Sequence, residues 1–245
     1  MTAIALVTGG ARRIGAAIVR ALHARGCRVV IHYRDSQTEA LALAAELNAD
    51  RPDSAACLRA DLSDPVAVRR LASEARQCFG GLDLLINNAS SFYPTPLAEA
   101  TDQDWDALIH SNLRAPFLLS QALADDLARS GQGAILNLVD VYADKPLADH
   151  PLYCMAKAGL VMMTKSLARD LGPAVRVNGV APGPILWPEQ GGADQDAVLK
   201  ASALKRAGDP QDIAGAVTWL ALDAPYVTGQ ILAVDGGRSL ALAGT

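Results

Sequence analysis

The sequence predicts an α/β fold, a doubly wound parallel sheet of seven strands flanked by helices. Three observations predict it. Short runs rich in Val, Ile and Leu alternate with longer Ala- and Leu-rich amphipathic stretches, which is the pattern of repeated βαβ units. The first of these runs leads directly into a glycine-rich turn and a helix. The chain has 245 residues, and chains typically divide only beyond roughly 250 to 300 residues, so a single domain over residues 1–245 is expected.

The elements follow in order. Strands are expected at Ile4–Thr8, Arg28–Tyr33, Ala55–Ala60, Leu82–Ile86, Ala134–Val139, Val175–Val180 and Gln230–Val234, each a short apolar run. A helix over Arg12–Arg25 carries Ile14, Ala17, Ile18, Ala21 and Leu22 on one face. Further helices are expected over Ser36–Asn48, Pro65–Phe79, Asp102–Ser130 with a break near Pro116, Pro151–Leu171 and Pro210–Leu222. Residues 182–200 break the rhythm with Pro182, Pro184, Pro188 and three glycines, and read as a long functional loop or lid.

Composition excludes several classes. Twenty-two Lys and Arg against 26 Asp and Glu leave a formal charge of −4, with no basic run longer than two, so nucleic acid is not expected as a partner. No apolar stretch approaches the roughly 20 residues that span a bilayer. The first stretch reads as a strand and not a signal peptide, which predicts a cytoplasmic protein without a membrane partner. Cys27, Cys57, Cys78 and Cys154 are scattered, and His23, His32, His110 and His150 form no ligand-spaced cluster, so neither a disulfide nor a metal is expected.

The turn Thr8-Gly9-Gly10-Ala11-Arg12-Arg13-Ile14-Gly15 lets backbone N–H groups and a helix N-terminus face a pyrophosphate. Read with its strand and helix, it resembles the T-G-x-x-x-G-x-G turn of the short-chain dehydrogenase/reductase family, whose domain is Rossmann-type. The resemblance implies that Gly9, Arg13, Ile14 and Gly15 bind cofactor. Arg13 stands where that family usually has its middle glycine. At the end of the second strand, where dinucleotide enzymes read the adenosine 2′ position, the sequence is His32-Tyr33-Arg34-Asp35-Ser36. Tyr33 occupies the position that is acidic in NAD users, and Arg34 follows, which favours NADPH/NADP with Tyr33, Arg34 and Ser36 at the site. Asp35 is the competing acid.

Asp61 resembles the family residue that meets the adenine ring, though an acid before a helix is also an ordinary cap. Asn87-Asn88-Ala89 resembles the N-N-A-G motif, placing Asn88 and Ala89 on the cofactor, and Pro182-Gly183 matches the motif after the sixth strand. The threonine usual near that last motif is missing, and Trp187 and Glu189 stand in the loop instead.

Tyr153-Cys154-Met155-Ala156-Lys157 is Y-x-x-x-K at a helix start, and residues four apart share a helical face. A phenol titrates near ~10, and a neighbouring ammonium should lower that value and make Tyr153 a usable acid. The family's serine, 13 residues before the tyrosine, is replaced: 153 − 140 = 13, and residue 140 is Asp. An ionised Asp140 accepts hydrogen bonds only and repels developing alkoxide, which suits a substrate with N–H donors and a C=N bond better than a ketone.

The resemblance then narrows to pteridine reductases. Asn87-Asn88-Ala89-Ser90-Ser91-Phe92-Tyr93-Pro94-Thr95-Pro96-Leu97 closely matches their sequence, and Arg13 and Val139-Asp140 are their features too. It implies that Arg13, Ser90, Phe92, Asp140 and Tyr153 bind substrate, with Phe92 stacking on a flat ring. Catalysis would rest on Asp140, Tyr153, Lys157 and Asn112, the last supporting a water relay to Lys157, which also binds cofactor. The expected activity is NADPH-dependent reduction of dihydropterins, extending to oxidised pterins or dihydrofolate. The rivals are a carbonyl reductase of the same fold, such as a 3-oxoacyl thioester reductase, and a catalytically silent NADP-binding protein. The family mostly forms tetramers, so a homotetramer is expected.

Overall fold

A computed structural model of the chain describes residues 2–187 and 195–241. Strands β1 (Ile4–Val7), β2 (Arg28–Tyr33), β3 (Ala55–Arg59), β4 (Leu84–Asn87), β5 (Ala134–Leu138), β6 (Arg176–Pro182) and β7 (Ile231–Val234) form one sheet in the order β3-β2-β1-β4-β5-β6-β7. Every pairing is parallel, with Val7 beside both Ile31 and Ile86, and Ile86 beside Leu136. This is the Rossmann-type, doubly wound arrangement expected from the alternating apolar runs.

The sheet is covered on both faces, as strands with continuous apolar runs require. Alternate strand residues divide between two cores. Val7, Val29, Ile31, Leu84, Ile86 and Leu136 pack with Ile18 and Leu22 of α1 (Arg13–Ala24) and with Ile213 and Val217 of α8 (Pro210–Leu222). Leu6, Val30, Leu85, Ile135 and Val177 face the other way, against Val68 and Leu71 of α3 (Pro65–Phe79) and Leu119 and Leu123 of α5 (Ala115–Arg129). Helix α2 (Gln37–Asp50) adds Leu43 and Leu47 to the first core.

Three expectations change. The fourth strand starts at Leu84, two residues late, and the preceding Asp83 side chain accepts the Ile4 N–H at 2.7 Å. The expected break near Pro116 takes the form of a π turn. Helix α4 (Asp102–Ile109) passes into a π turn over His110–Arg114, and Pro116 sits in the first turn of α5, where a missing N–H is tolerated. Pro116 offers no N–H to the Asn112 carbonyl four residues earlier, which is the local reason for the wider turn. The expected loop 182–200 is shorter than its prolines implied: β6 extends through Pro182, and Gln195–Ala201 forms helix α7 from a run of good helix formers. Pro188 and Glu189 lie outside the described residues. Helices α6 (Pro151–Asp170) and α9 (Arg238–Ala241) complete the series.

Strand order reverses between β1 and β4, and the crevice beyond their carboxyl ends is where open α/β sheets bind ligands. The glycine turn follows β1, Asn88 and Ala89 follow β4, Asp140 follows β5, and Gly183 follows β6. One edge of the sheet therefore carries every motif found in the sequence except Y-x-x-x-K, which α6 brings to it.

Candidate active site

The turn after β1 is fixed from behind. The Thr8 hydroxyl accepts the N–H groups of Asn88 and Ala89 at 2.9 and 3.0 Å, and the Asn88 amide donates to the carbonyls of Thr8 and Gly9 at 2.8 and 3.1 Å. Asn88 thus supports the turn. Gly9 has φ +60°, and a Cβ on Gly15 would collide with the Gly9 carbonyl oxygen, so both must be glycine. Arg13 holds φ +54°, keeping the left-handed backbone of a glycine position while adding a cation. Its guanidinium donates to the Trp187 carbonyl at 3.2 Å across the mouth of the crevice. The first turn of α1, beginning with Arg13, Ile14 and Gly15, has no side-chain cap. An uncapped helix N-terminus behind a tight glycine cradle fits a pyrophosphate.

The adenosine end is more open. Tyr33 is buried at the end of β2, while Arg34 is exposed and pairs with Asp35 at 2.7 Å. The competing acid is therefore engaged by the neighbouring arginine in an exposed pair. Ser36 precedes α2 and makes no side-chain cap bond, leaving its hydroxyl for another partner. Asp61 accepts the N–H and hydroxyl of Ser63 at 2.9 and 2.7 Å, bonds that hold its carboxyl below the usual range.

At the other end, six predicted residues converge. The Tyr153 hydroxyl donates to Asp140 Oδ2 at 2.7 Å, and Asp140 Oδ1 accepts the Tyr142 N–H at 2.9 Å. Lys157 is buried, with Nζ donating to the Leu138 carbonyl at 2.8 Å and lying 5.6 Å from the Tyr153 ring centroid. The Phe92 ring meets Tyr153 edge-on at 4.8 Å between centroids and is 43% exposed, so it forms a wall at the pocket mouth. Ser90 donates to Asn112 Oδ1 at 2.6 Å.

The electrostatics reverse one expectation. Lys157 was expected to lower the Tyr153 pKa, yet the phenol is raised well above 10, first by burial and then by the Asp140 carboxylate to which it donates. Burial also raises Asp140 above the usual carboxylate range, against the opposing hydrogen bonds from Tyr142 and Tyr153. Burial lowers Lys157 to about 8, with Asp140 opposing. The site is a buried carboxyl–phenol–ammonium group that resists net charge.

Asn112 differs too. Its side-chain amide donates to the Ser91 and Leu108 carbonyls, both at 2.9 Å, so the side chain holds the Ser90–Ser91 loop, while the π turn sets its backbone. Pro182 ends β6, and the Gly183 N–H donates to the Val234 carbonyl at 3.1 Å. Sequence reasoning missed His150, whose ring stacks on Phe92 at 4.8 Å and 14°, and Thr95, whose N–H donates to the Asp149 carbonyl at 2.6 Å. It also missed His32, buried beneath the glycine turn. Position relative to Tyr153 could have flagged His150, three residues upstream on the approach to α6.

Comparison with known proteins agrees with the geometry. A short-chain dehydrogenase family model, described as enoyl-(acyl carrier protein) reductase, matches residues 9–239. The chain is 36% identical to pteridine reductase 1 of Leishmania tarentolae, covering 97% of this chain and 96% of that one. It is 35% identical to a 3-oxoacyl-[acyl-carrier-protein] reductase of Synechocystis, covering 96% of each. A blue fluorescent protein from a metagenomic library, solved in complex with NADPH, superposes with a TM-score of 0.91 at 39% identity, covering 96% of this chain and 97% of that one. Among the described residues no helix is long and apolar enough to cross a membrane. With the sheet order, the glycine turn, the Tyr153–Lys157 pair and a family match over nearly its whole length, the chain belongs to the short-chain dehydrogenase/reductase family of oxidoreductases.

Proposed function

We propose that the protein is an NADPH-dependent pteridine reductase, converting dihydropterins to tetrahydropterins and acting by extension on oxidised pterins or dihydrofolate. The observation that carries this reading is Asp140, a buried carboxyl bonded to the Tyr153 phenol at 2.7 Å where the family usually has a serine hydroxyl. A pteridine reductase 36% identical over nearly the full length supports the same reading, as does a structural neighbour bound to NADPH.

Bound NADPH would supply the hydride. Its pyrophosphate would rest on the Gly9–Gly15 turn, its 2′-phosphate near Arg34 and Ser36, and its adenine near Asp61. The Lys157 ammonium and the 182–183 and 88–89 backbones would line the nicotinamide end. A flat pterin ring leans on Phe92, with Arg13 and Ser90 at its edge. Asp140 accepts from the ring's N–H donors, and Tyr153 gives its proton to the imine nitrogen, making C=N more electrophilic as it is reduced. Burial and Asp140 raise the Tyr153 pKa, which keeps the phenol protonated before substrate binds. The backbone carbonyl of Asn112, to which Pro116 offers no N–H, suits a water leading to Lys157. The reading extends to a cytoplasmic homotetramer.

NADPH oxidation followed by absorbance with dihydrobiopterin, dihydromonapterin, dihydrofolate and a 3-oxoacyl thioester tests the assignment. Turnover of a dihydropterin is expected. Turnover of the thioester alone would make the protein a 3-oxoacyl reductase, and cofactor binding with no turnover would make it a silent NADP-binding protein.

A further inference from the structure

His32 lies in the last turn-facing position but one of β2, at 2% exposure, on a strand whose other central residues, Val29, Val30 and Ile31, are wholly apolar. A buried imidazole is costly unless both ring nitrogens are satisfied. Both are. Nε2 lies 3.1 Å from the Ala60 carbonyl, which can only accept, so Nε2 carries the proton. Nδ1 is then the bare nitrogen, and it accepts the Gly9 N–H at 3.1 Å. The backbone of the same residue accepts the Gly10 N–H at 2.9 Å.

Successive amides of the glycine turn are thereby drawn inward onto one residue. The Thr8 N–H is also turned inward, to the Ile86 carbonyl at 3.0 Å, so the N–H groups left to face the crevice begin beyond Gly10. The Ala60 bond ties the same ring to the end of β3, immediately before Asp61. One side chain therefore joins the ends of β1, β2 and β3, which are the three supports proposed above for pyrophosphate, ribose phosphate and adenine. A leucine of similar size would fill the space without fixing any of these. Burial lowers the His32 pKa to about 4, which keeps the ring neutral and Nδ1 an acceptor at physiological pH.

We propose that His32 is a positioning residue for the adenosine half of the cofactor: its neutral ring sets the orientation of the Gly9–Gly10 turn and couples it to the Ala60–Asp61 end of β3. The inference rests on the dinucleotide reading of the site. NADPH affinity is measured by fluorescence titration of the intact protein and of His32→Asn, His32→Gln and His32→Leu. Asn keeps an acceptor near Nδ1, Gln can reach Ala60, and Leu keeps neither bond.

Dissociation constants for NADPH and NADH should rise together, about fivefold for Asn and Gln and about thirtyfold for Leu, since each lost hydrogen bond costs on the order of 1 kcal/mol. Their ratio should stay constant, because the 2′-phosphate is read elsewhere, and kcat at saturating NADPH should stay within about twofold while the cofactor KM rises. A Leu variant that does not fold leaves the decision to Asn and Gln, whose thermal midpoints are checked alongside. Unchanged affinity in the folded variants overturns the inference. So does a changed NADPH-to-NADH ratio, or a fall in kcat without a rise in cofactor KM. Wild-type protein that binds neither nucleotide overturns the dinucleotide reading itself, and the inference with it.

Discussion

A carboxyl bonded to a phenol at 2.7 Å in a buried pocket disfavours a ketone oxygen that gains negative charge in the transition state. On the proposed reading, Asp140→Ser lowers dihydropterin turnover by about a hundredfold, within the usual range for a lost proton-transfer partner. NADPH affinity is unchanged, and steady-state kinetics with a fluorescence titration check both. Lys157 gives a prediction in pH. Its folded pKa of about 8 lies below the ordinary 10.5, so burying the ammonium costs stability, fully so below about pH 8. That cost disappears as pH rises from about 8 towards 10.5, where the unfolded chain loses its proton too. The thermal midpoint of wild-type protein should therefore climb relative to Lys157→Met across that window, read by calorimetry at stepped pH. A flat difference would mean that the lysine is not held in this low-dielectric position.

The π turn between α4 and α5 shows how an element can be shaped for a site. Pro116→Ala restores an N–H four residues after Asn112 and allows a regular helix through the junction. The variant should match or exceed wild-type thermal stability while kcat falls about tenfold, since the Asn112 backbone and the Ser90–Ser91 loop it holds would both shift. Kinetics beside a melting curve separate the two effects. The sequence could not disclose this turn, because proline alone predicts a break and helical periodicity does not distinguish α from π. Local motifs were legible: the glycine turn, Asn87-Asn88-Ala89 and Tyr153-x-x-x-Lys157 are each contiguous, and each lies where expected. Contacts made across the sheet were not. His32 meets Gly9 and Ala60 from 23 and 28 residues away, and Phe92 meets His150 across 58, with no spacing rule to announce either. The helical stretch Gln195–Ala201 was hidden by the prolines and glycines before it.

Whole-molecule predictions concern surface and assembly. Trp105, Phe117, Met155 and Met162 are exposed on α4, α5 and α6, and Tyr226 before β7 is fully exposed. If these side chains form a contiguous patch in the folded chain, that face would suit the contacts of the proposed homotetramer. Light scattering should give four times the 25.6 kDa of one chain, and Trp105→Glu should reduce that mass. A monomer would remove the assembly from the proposal. The strand order has a further consequence, in time. Everything proposed to hold the adenosine half lies between Gly9 and Ala89 on the ends of the first four strands, whereas Asp140, Tyr153 and Lys157 follow more than fifty residues later. A chain emerging from the ribosome thus presents the residues proposed for the nucleotide before any residue proposed for proton transfer has been made, although α1 meets its packing partner α8 only later. The residues proposed for proton transfer come together only with β5 paired to β4 and α6 beside them.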